Sequence, residues 1–85
     1  MIKTVLIANR GAIATRIERT LEQMGVQSVA IFADDDRESL HVRGASRAVN
    51  LGVGSLRETY LNQQKIIAIA LAEGAQAIHP GYGFL

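Results

Sequence analysis

The sequence predicts an α/β fold, a Rossmann-like parallel sheet flanked by helices, and two observations carry that prediction. Short apolar runs rich in β-branched residues alternate along the chain with longer segments of helical periodicity. Glycine follows both long helical segments, where a C-terminal helix cap belongs. Strands that alternate with helices of this length favour a parallel sheet built with right-handed crossovers.

Each element follows from the local pattern. The predicted elements, in chain order, are a strand at 3–8, a helix at 12–24, a strand at 27–33, a short helix at 37–42, a strand at 46–51, a helix at 62–73 and a strand at 75–78. The run KTVLIA at 3–8 is typical of a strand buried on both faces of a parallel sheet. Gly25 and Gly74 are the two predicted helix caps.

The two long helices are expected to be covered to different extents. One arc of the first helix contains the apolar residues Ile13, Ile17, Leu21 and Met24, which predicts the face that packs on the sheet. Glu18 lies farther round and is expected outside that face. The second helix is apolar almost all round through IIAIAL at 66–71, so we expect it to be well covered.

Composition excludes several classes of protein. The 85 residues are 48% hydrophobic and 20% charged with a formal net charge of +1, and the arginines are interleaved with carboxylates. A nucleic-acid surface needs a contiguous basic face, so nucleic acid is not an expected partner. Cysteine is absent, which excludes disulfides and thiolate metal sites. No apolar run approaches the roughly 18 residues of a membrane span, and we expect a cytoplasmic protein with no membrane partner.

The first strand-to-helix turn, IANRGAIATR at 7–16, resembles a phosphate site in its layout. Free N–H groups at a helix N-terminus favour an anion, and Asp34 ends the second strand, where dinucleotide folds place a ribose-binding acid. The G-x-G-x-x-G fingerprint is missing, because Gly11 is the only glycine of the turn. The pattern therefore favours a tight turn without cofactor, and a Rossmann-type cofactor-binding domain is the lesser alternative.

The acidic stretch ADDDRESLHVR at 33–43 offers three consecutive carboxylates and one histidine. Adjacent Asp side chains in a turn usually diverge, whereas a metal ion needs converging ligands. We therefore expect an acidic turn that caps the following short helix, and no metal site. His41 is expected to be a packed or surface histidine.

Two arginines on the first helix allow two interpretations. Arg16 and Arg19 lie three residues apart and therefore share a helix face. The first interpretation is a solvated surface. The second is a subunit contact, since arginine is enriched in interfaces.

The final stretch, HPGYGFL, leaves the carboxyl end of the last predicted strand, where open α/β sheets bind ligands. Pro80 stiffens its entry, and Gly81 and Gly83 permit backbone conformations that other residues resist. Tyr82 can present its ring to a ligand from between the two glycines. The alternative is a structural turn in which Tyr82 and Phe84 belong to the core.

The chain is also expected to be incomplete. The last predicted strand should be followed by a covering helix, and the apolar Phe84 and Leu85 should have something on which to pack.

Several segments in order resemble the N-terminal segment of the biotin carboxylase family of biotin-dependent carboxylases. These segments are IANRGAIATRIERTL, SLHVRGASRAVNLG, YLN and AIHPGYGFL, and the resemblance spans nearly the whole chain. It implies that residues 1–85 form one N-terminal domain of the pre-ATP-grasp type, truncated at its C-terminal end. In the family this sequence continues into a Ser-Glu-Asn segment and a further helix.

The resemblance implies an enzyme, a ligase that carboxylates N1 of biotin with bicarbonate and MgATP. The residues that bind ATP and magnesium, and the catalytic residues, lie downstream in such enzymes, so none is expected within this chain. The implied partners are the ATP-grasp remainder, a biotin carrier domain, a carboxyltransferase domain or subunit, and a second copy in a homodimer. The chain alone is expected to be inactive.

The resemblance also implies roles for particular residues. Tyr82 and Gly83 match the loop that borders the biotin ureido site, and the preceding loop positions are His79, Pro80 and Gly81. Two helix arginines, Arg16 and Arg19, match the subunit contact of dimeric bacterial members.

Two further features resemble one branch of the family. Ala12, where many members carry glutamate, and RTL at 19–21 are similar to urea carboxylase and urea amidolyase sequences. The final carboxyl acceptor stays open, because it is chosen by a separate domain. A stand-alone structural or interaction module is the alternative function from a different class.

Overall fold

The computed structural model describes residues 1–83, which form a four-stranded sheet with helices on both faces. The elements are strands β1 (Thr4–Ile7), β2 (Gln27–Ala33), β3 (Arg47–Gly52) and β4 (Ala77–His79), and helices α1 (Gly11–Gln23), α2 (Leu40–Gly44) and α3 (Gln63–Ala72). Every predicted strand and helix is present, with bounds that differ by at most a few residues.

The sheet has the order β3-β2-β1-β4, and all of its strand pairs are parallel. Leu6 of β1 is in register with Val29 on one side and with Ile78 on the other. The predicted Rossmann-like parallel architecture is confirmed. Strand β1 is buried along its whole length because it has a neighbour on each edge and helices over each face.

Two apolar clusters cover the two faces of the sheet. Residues Val5 and Ile7 pack with Ala14 and Leu21 of α1 on one face. On the other face, the alternate strand residues pack against α3 and the loop before it, in a cluster made of Leu6, Ala8, Val29, Ile31, Leu51, Tyr60, Ile66 and Ala70. The alternation follows from the two-residue period of a strand.

The packed face of α1 differs from the predicted arc. Met24 is 67% exposed, whereas Ala14, Glu18 and Leu21 are buried. The prediction was wrong for Met24 because α1 ends at Gln23 and Met24 lies beyond its last turn as the C-cap residue. It was wrong for Glu18 because α1 has two neighbours. The sheet covers the side that contains Ala14 and Leu21, and α2 packs against α1 and covers Glu18.

Glu18 is a buried carboxyl group without a hydrogen-bond partner among the described residues. The residue is 5% exposed, and both of its carboxylate oxygens are inaccessible to solvent and unpaired. A Cβ atom at Gly44 of α2 would lie only 2.8 Å from Glu18 Oε1. Burial raises the pKa of Glu18 to about 7, because the charged form loses its hydration.

Helix α3 is covered on one face only. Ile66 and Ala70 are buried against the sheet, while Ile67 and Leu71 are exposed. The expectation that this helix is well covered was wrong for this chain, because no second layer lies outside α3 among the described residues.

The acidic turn does not cap the short helix as predicted. Asp34–Asp36 forms a separate 3-10 turn, and α2 begins after Ser39, whose side chain makes no capping hydrogen bond. The carboxylates are used in other ways: Asp34 pairs with Arg37, and Asp36 accepts a hydrogen bond from Tyr60. The side chains of Asp34 and Asp36 are therefore held by Arg37 and Tyr60 instead of by the N–H groups of α2.

The ends of the long helices agree with the predictions. Gly25 and Gly74 both have φ of +72° and follow directly after the last helical turn, as C-terminal caps do. The expected packing of Phe84 and Leu85 lies outside the described residues. Within residues 1–83, no helix is long and apolar enough to cross a membrane.

Candidate functional site

The candidate site lies at the carboxyl ends of β1 and β4. The chain passes from β1 to β2 and β3 on one side of the sheet, and β4 adds to the opposite edge of β1. The segments that follow β1 and β4 therefore leave the sheet at its topological switch point, where open α/β sheets form their ligand crevice. The backbone N–H of Ala8 donates to the carbonyl of His79 at 2.9 Å and closes the floor of this crevice.

Asn9 joins the two segments. Its amide nitrogen Nδ2 donates to the carbonyl oxygens of Pro80 and Tyr82, each at 2.9 Å. Its Oδ1 accepts from the backbone N–H of Arg10 at 2.8 Å, and the residue is 3% exposed. The side chain is thus buried with all of its polar atoms in hydrogen bonds.

The loop at 79–83 approaches Asn9 closely because its third residue is glycine. Gly81 has φ of +62°, and a Cβ there would lie 2.8 Å from both Asn9 Nδ2 and Ile13 Cγ2. The N–H of Gly81 donates to His79 Nδ1 at 3.0 Å, which closes the turn from within. A side chain at position 81 would push the loop away from β1.

Tyr82 projects from this loop towards solvent. Tyr82 is 76% exposed, so the interpretation that it belongs to the core is wrong. The ring borders an apolar groove of about 410 Å³ between the loop and α1, together with Ile13, Arg16 and Ile17. An exposed phenol beside an apolar groove with one guanidinium suits a small ligand that has both apolar and polar surface.

A second group of polar side chains, around Tyr60, lies at the carboxyl ends of β1 and β2, beside Asn9 and the 79–83 loop. The hydroxyl of Tyr60 donates to Asp36 Oδ2 at 2.6 Å and accepts from the backbone N–H of Ala33 at 2.9 Å. The Arg10 guanidinium lies 5.2 Å from the centre of the Tyr60 ring, and Arg10 Nε lies 3.7 Å from Asp36 Oδ2. Burial and the adjacent carboxylate raise the pKa of Tyr60 to about 12, so the phenol remains protonated.

The residues considered for a dinucleotide or a metal do not converge. Asp34 is engaged by Asn50 and Arg37, whose hydrogen bonds lower the pKa of its carboxyl group. His41 is buried with Nε2 at 3.0 Å from the carbonyl of Ile31, and burial lowers its pKa, so it is a packed neutral histidine. No group of three or more His, Asp or Glu side chains within residues 1–83 is arranged to hold a metal ion.

Arg16 and Arg19 are exposed on the same side of α1, as their spacing predicts. Both line a groove of about 600 Å³ between α1 and the start of α2, where Leu40 is exposed. Arg16 also borders the groove at Tyr82 and hydrogen-bonds Thr20 Oγ1 at 2.5 Å. Arg16 therefore lies between the two grooves.

The structure brings together the predicted loop residues, and it adds Asn9 and Tyr60, which the sequence analysis missed as site residues. The available signal for Asn9 was a polar residue that directly follows a fully apolar strand. Nothing local indicated Tyr60, because its partners Ala33 and Asp36 belong to a different segment.

Comparison with known proteins places this geometry in a family. The chain matches the biotin carboxylase N-terminal domain over residues 1–85. It is 54% identical over 84 residues to the mitochondrial methylcrotonoyl-CoA carboxylase subunit alpha of Oryza sativa, covering 99% of this chain and 11% of that protein.

Two solved structures have the same fold at high identity. The structure of Kluyveromyces lactis urea carboxylase matches with a TM-score of 0.96 and 55% identity, covering 99% of this chain and 7% of that one. The biotin carboxylase domain dimer of Hydrogenobacter thermophilus 2-oxoglutarate carboxylase, solved with MgADP, ADP and bicarbonate, matches with a TM-score of 0.95 and 49% identity, covering 100% and 18%.

The chain spans about a ninth of the length of the curated methylcrotonoyl-CoA carboxylase subunits that it matches. The family match and the structural match nevertheless cover every described element, including α1 and the 79–83 loop at the topological switch point. This chain therefore belongs to the biotin carboxylase N-terminal domain family.

Proposed function

We propose that this chain is the N-terminal part of a biotin carboxylase, which carboxylates N1 of biotin with bicarbonate and MgATP. Family membership supports the reaction class, and the relative solved with MgADP and bicarbonate supports those substrates. The observation that carries the site is the position of the 79–83 loop at the topological switch point, with Tyr82 exposed beside an apolar groove.

In this proposal the chain supplies scaffold and one wall of the biotin site. Biotin supplies the ureido nitrogen that accepts the carboxyl group. Tyr82 and Gly83 would border that ring, while His79, Pro80 and Gly81 form the base of the loop. The apolar lining and the exposed phenol fit a bicyclic ligand with apolar and polar edges.

The chemical groups that this chain does not provide are proposed to lie in its partners. The ATP-grasp remainder of the enzyme binds ATP and magnesium, a biotin carrier domain delivers biotin, and a carboxyltransferase domain or subunit uses the product. The chain alone is expected to be inactive. Its cytoplasmic location stays a prediction.

This chain is similar to carboxylases that are named for different substrates. That similarity supports a carboxyl acceptor that is selected outside this chain. The identities to the urea, methylcrotonoyl-CoA and 2-oxoglutarate carboxylases are 55%, 54% and 49%. We propose that the groove at Tyr82 serves the biotin step that these enzymes share. The carboxyl acceptor is then selected by the carboxyltransferase part.

Replacing Tyr82 by alanine in the full-length enzyme tests the proposed wall. We expect the KM for free biotin to rise about tenfold, equivalent to about 1.4 kcal/mol, because the ring loses its contact with the ligand. The thermal midpoint should change little, since the side chain is exposed. Steady-state kinetics and thermal unfolding give the two quantities.

The Tyr82→Phe variant is the matched control, since it keeps the ring and removes only the hydroxyl. We expect its KM for biotin to lie closer to that of the parent enzyme. Equal activity of Tyr82→Ala and parent, per folded molecule, would exclude the wall role.

We propose further that the face with Arg16 and Arg19 contacts a second copy of the chain. The dimer named for the Hydrogenobacter thermophilus domain supports a dimer in this family. Two exposed arginines beside the apolar Leu40 have the composition of an interface centre.

The Arg16→Glu variant is expected to weaken dimerisation at least about tenfold, because a carboxylate reverses the charge at that contact. The fold of the monomer should be unchanged, since Arg16 is exposed and its hydrogen bond within residues 1–83 is to Thr20 of the same helix. Sedimentation velocity of the full-length enzyme measures the effect. Arg57→Glu, an exposed arginine in the loop before α3, is the control, and an unchanged sedimentation profile for Arg16→Glu would contradict the proposal.

A further inference from the structure

The structure assigns a positioning role to Asn9. We infer that its side-chain amide fixes the 79–83 loop in the conformation that presents Tyr82 to the ligand groove. This inference rests on the proposed function, since Tyr82 is taken there to border biotin. Asn9 itself does not line the groove at Tyr82 and acts through the loop.

The side-chain amide of Asn9 holds the loop through two hydrogen bonds. Both loop carbonyls that it binds, those of Pro80 and Tyr82, are 2.9 Å from the same Nδ2 atom. Two bonds to residues that flank Gly81 determine both the position and the register of the loop. Because Asn9 Oδ1 is held by the N–H of Arg10, the amide cannot turn without losing a further bond.

The loop also approaches Asn9 very closely. Gly81 lies directly against Asn9 and Ile13, with no space for a Cβ atom. The carbonyl of Tyr82 is one bond from its Cα, so its hydrogen bond to Asn9 restricts the direction in which the phenol ring leaves the backbone. The buried side chain of Asn9 thereby orients the exposed side chain of Tyr82 through the backbone of Tyr82.

The two bonds to the loop depend on an amide at position 9. A carboxylate has almost the same shape as the Asn amide but donates no hydrogen bond when it is ionised. Aspartate at this position would place an oxygen against the two carbonyl oxygens of Pro80 and Tyr82. The geometry therefore requires an amide, and Asn9→Asp breaks the contact without a change in volume.

The test compares Asn9→Asp, Tyr82→Ala and the double variant in the full-length enzyme. We expect Asn9→Asp to raise the KM for free biotin about tenfold and to leave the KM for MgATP unchanged. In the Tyr82→Ala background, Asn9→Asp should raise the KM for biotin much less than it does in the parent enzyme, because the ring that it positions is gone and only Gly83 of the proposed wall can still be displaced. Amide hydrogen exchange of residues 79–83, measured without biotin, should accelerate at least about tenfold in Asn9→Asp, with β1 and α1 unchanged.

Asn62→Asp is the control, because it makes the same chemical change at the start of α3, where Asn62 Oδ1 caps the helix through Lys65 N–H. It should leave both the loop exchange and the biotin kinetics unchanged. If Asn9→Asp does not fold, Asn9→Ala removes both side-chain donors without adding a charge or a new donor and carries the same expectations.

The outcomes separate the inference from the proposed function. Additive effects of Asn9→Asp and Tyr82→Ala, or unchanged loop exchange in Asn9→Asp, overturn the positioning role. If Tyr82→Ala does not change the KM for biotin, the wall role of Tyr82 fails. The biotin-directed part of the inference then fails with it, whatever the loop exchange shows.

Discussion

The Glu18→Gln variant is expected to unfold with a higher free energy than the parent chain at about pH 8, by roughly 2–3 kcal/mol, and with nearly the same free energy at about pH 4. Glu18 is 5% exposed, and neither carboxylate oxygen has a hydrogen-bond partner among the described residues. An ionised carboxylate in that position has lost its hydration without a compensating bond. The neutral amide of glutamine does not carry that penalty.

The sign of the pH dependence follows from the shift. Burial raises the pKa of Glu18 from the ordinary 4.5 to about 7, so the folded state holds its proton more tightly than the unfolded state does. The contribution of Glu18 to stability therefore falls as pH rises from the unfolded pKa to the folded one, and it stays low above that. A shift of this size corresponds to about 3 kcal/mol at most.

Urea denaturation at several pH values measures this effect as the difference between variant and parent, which cancels the pH dependence of all other groups. Glu22→Gln is the control, since Glu22 is exposed one turn farther along α1. Its difference from the parent should be small and independent of pH. An equal change for Glu18→Gln at both ends of the pH range would show that its carboxyl group is not the destabilising element.

The Gly81→Ala variant is expected to lose roughly 3 kcal/mol of stability, or to release the 79–83 loop from β1. Two costs add at this position. The backbone has φ of +62°, and the new Cβ would lie 2.8 Å from Asn9 Nδ2 and Ile13 Cγ2. The amide of Asn9 is buried and bonded on both sides of Gly81, so it has no low-energy alternative position.

Gly83→Ala separates the two costs. Gly83 also has a positive φ, of +94°, but a Cβ there meets no described atom within 4 Å. This variant should therefore lose only the backbone contribution, about 1 kcal/mol. Thermal unfolding and amide exchange of the loop measure both variants, and equal losses would contradict the close contact between Gly81 and Asn9.

Local patterns predicted most of the fold. The apolar run of β1, the two capping glycines and the span of β2 are all signals carried by adjacent residues, and the structure confirms each of them. Apart from the predicted cap by the acidic turn, the predictions about the fold that failed concern which side of a helix is covered. Met24 is exposed because α1 ends at Gln23, before it. Glu18 is buried because the position of α2, not the periodicity of α1, determines the second contact face.

The candidate site was likewise predicted only in part. Its loop was predicted from the two glycines and the tyrosine after the last strand, because ligands bind beyond the carboxyl ends of parallel strands. The roles of Asn9 and Tyr60 were not predicted, since their partners are far away along the chain. Asn9 and Pro80, for example, are 71 positions apart.

By itself, the sequence determined the order of strands and helices, the helix ends and the composition of the switch-point loop. These properties depend on backbone preferences and on the spacing of apolar residues over a few positions. Only the tertiary structure decided that Asn9 holds that loop and that Glu18 is buried without a partner. Both depend on how β1 pairs with β4 and how α1 meets α2, and a contact between distant segments has no period along the chain by which it could be recognised.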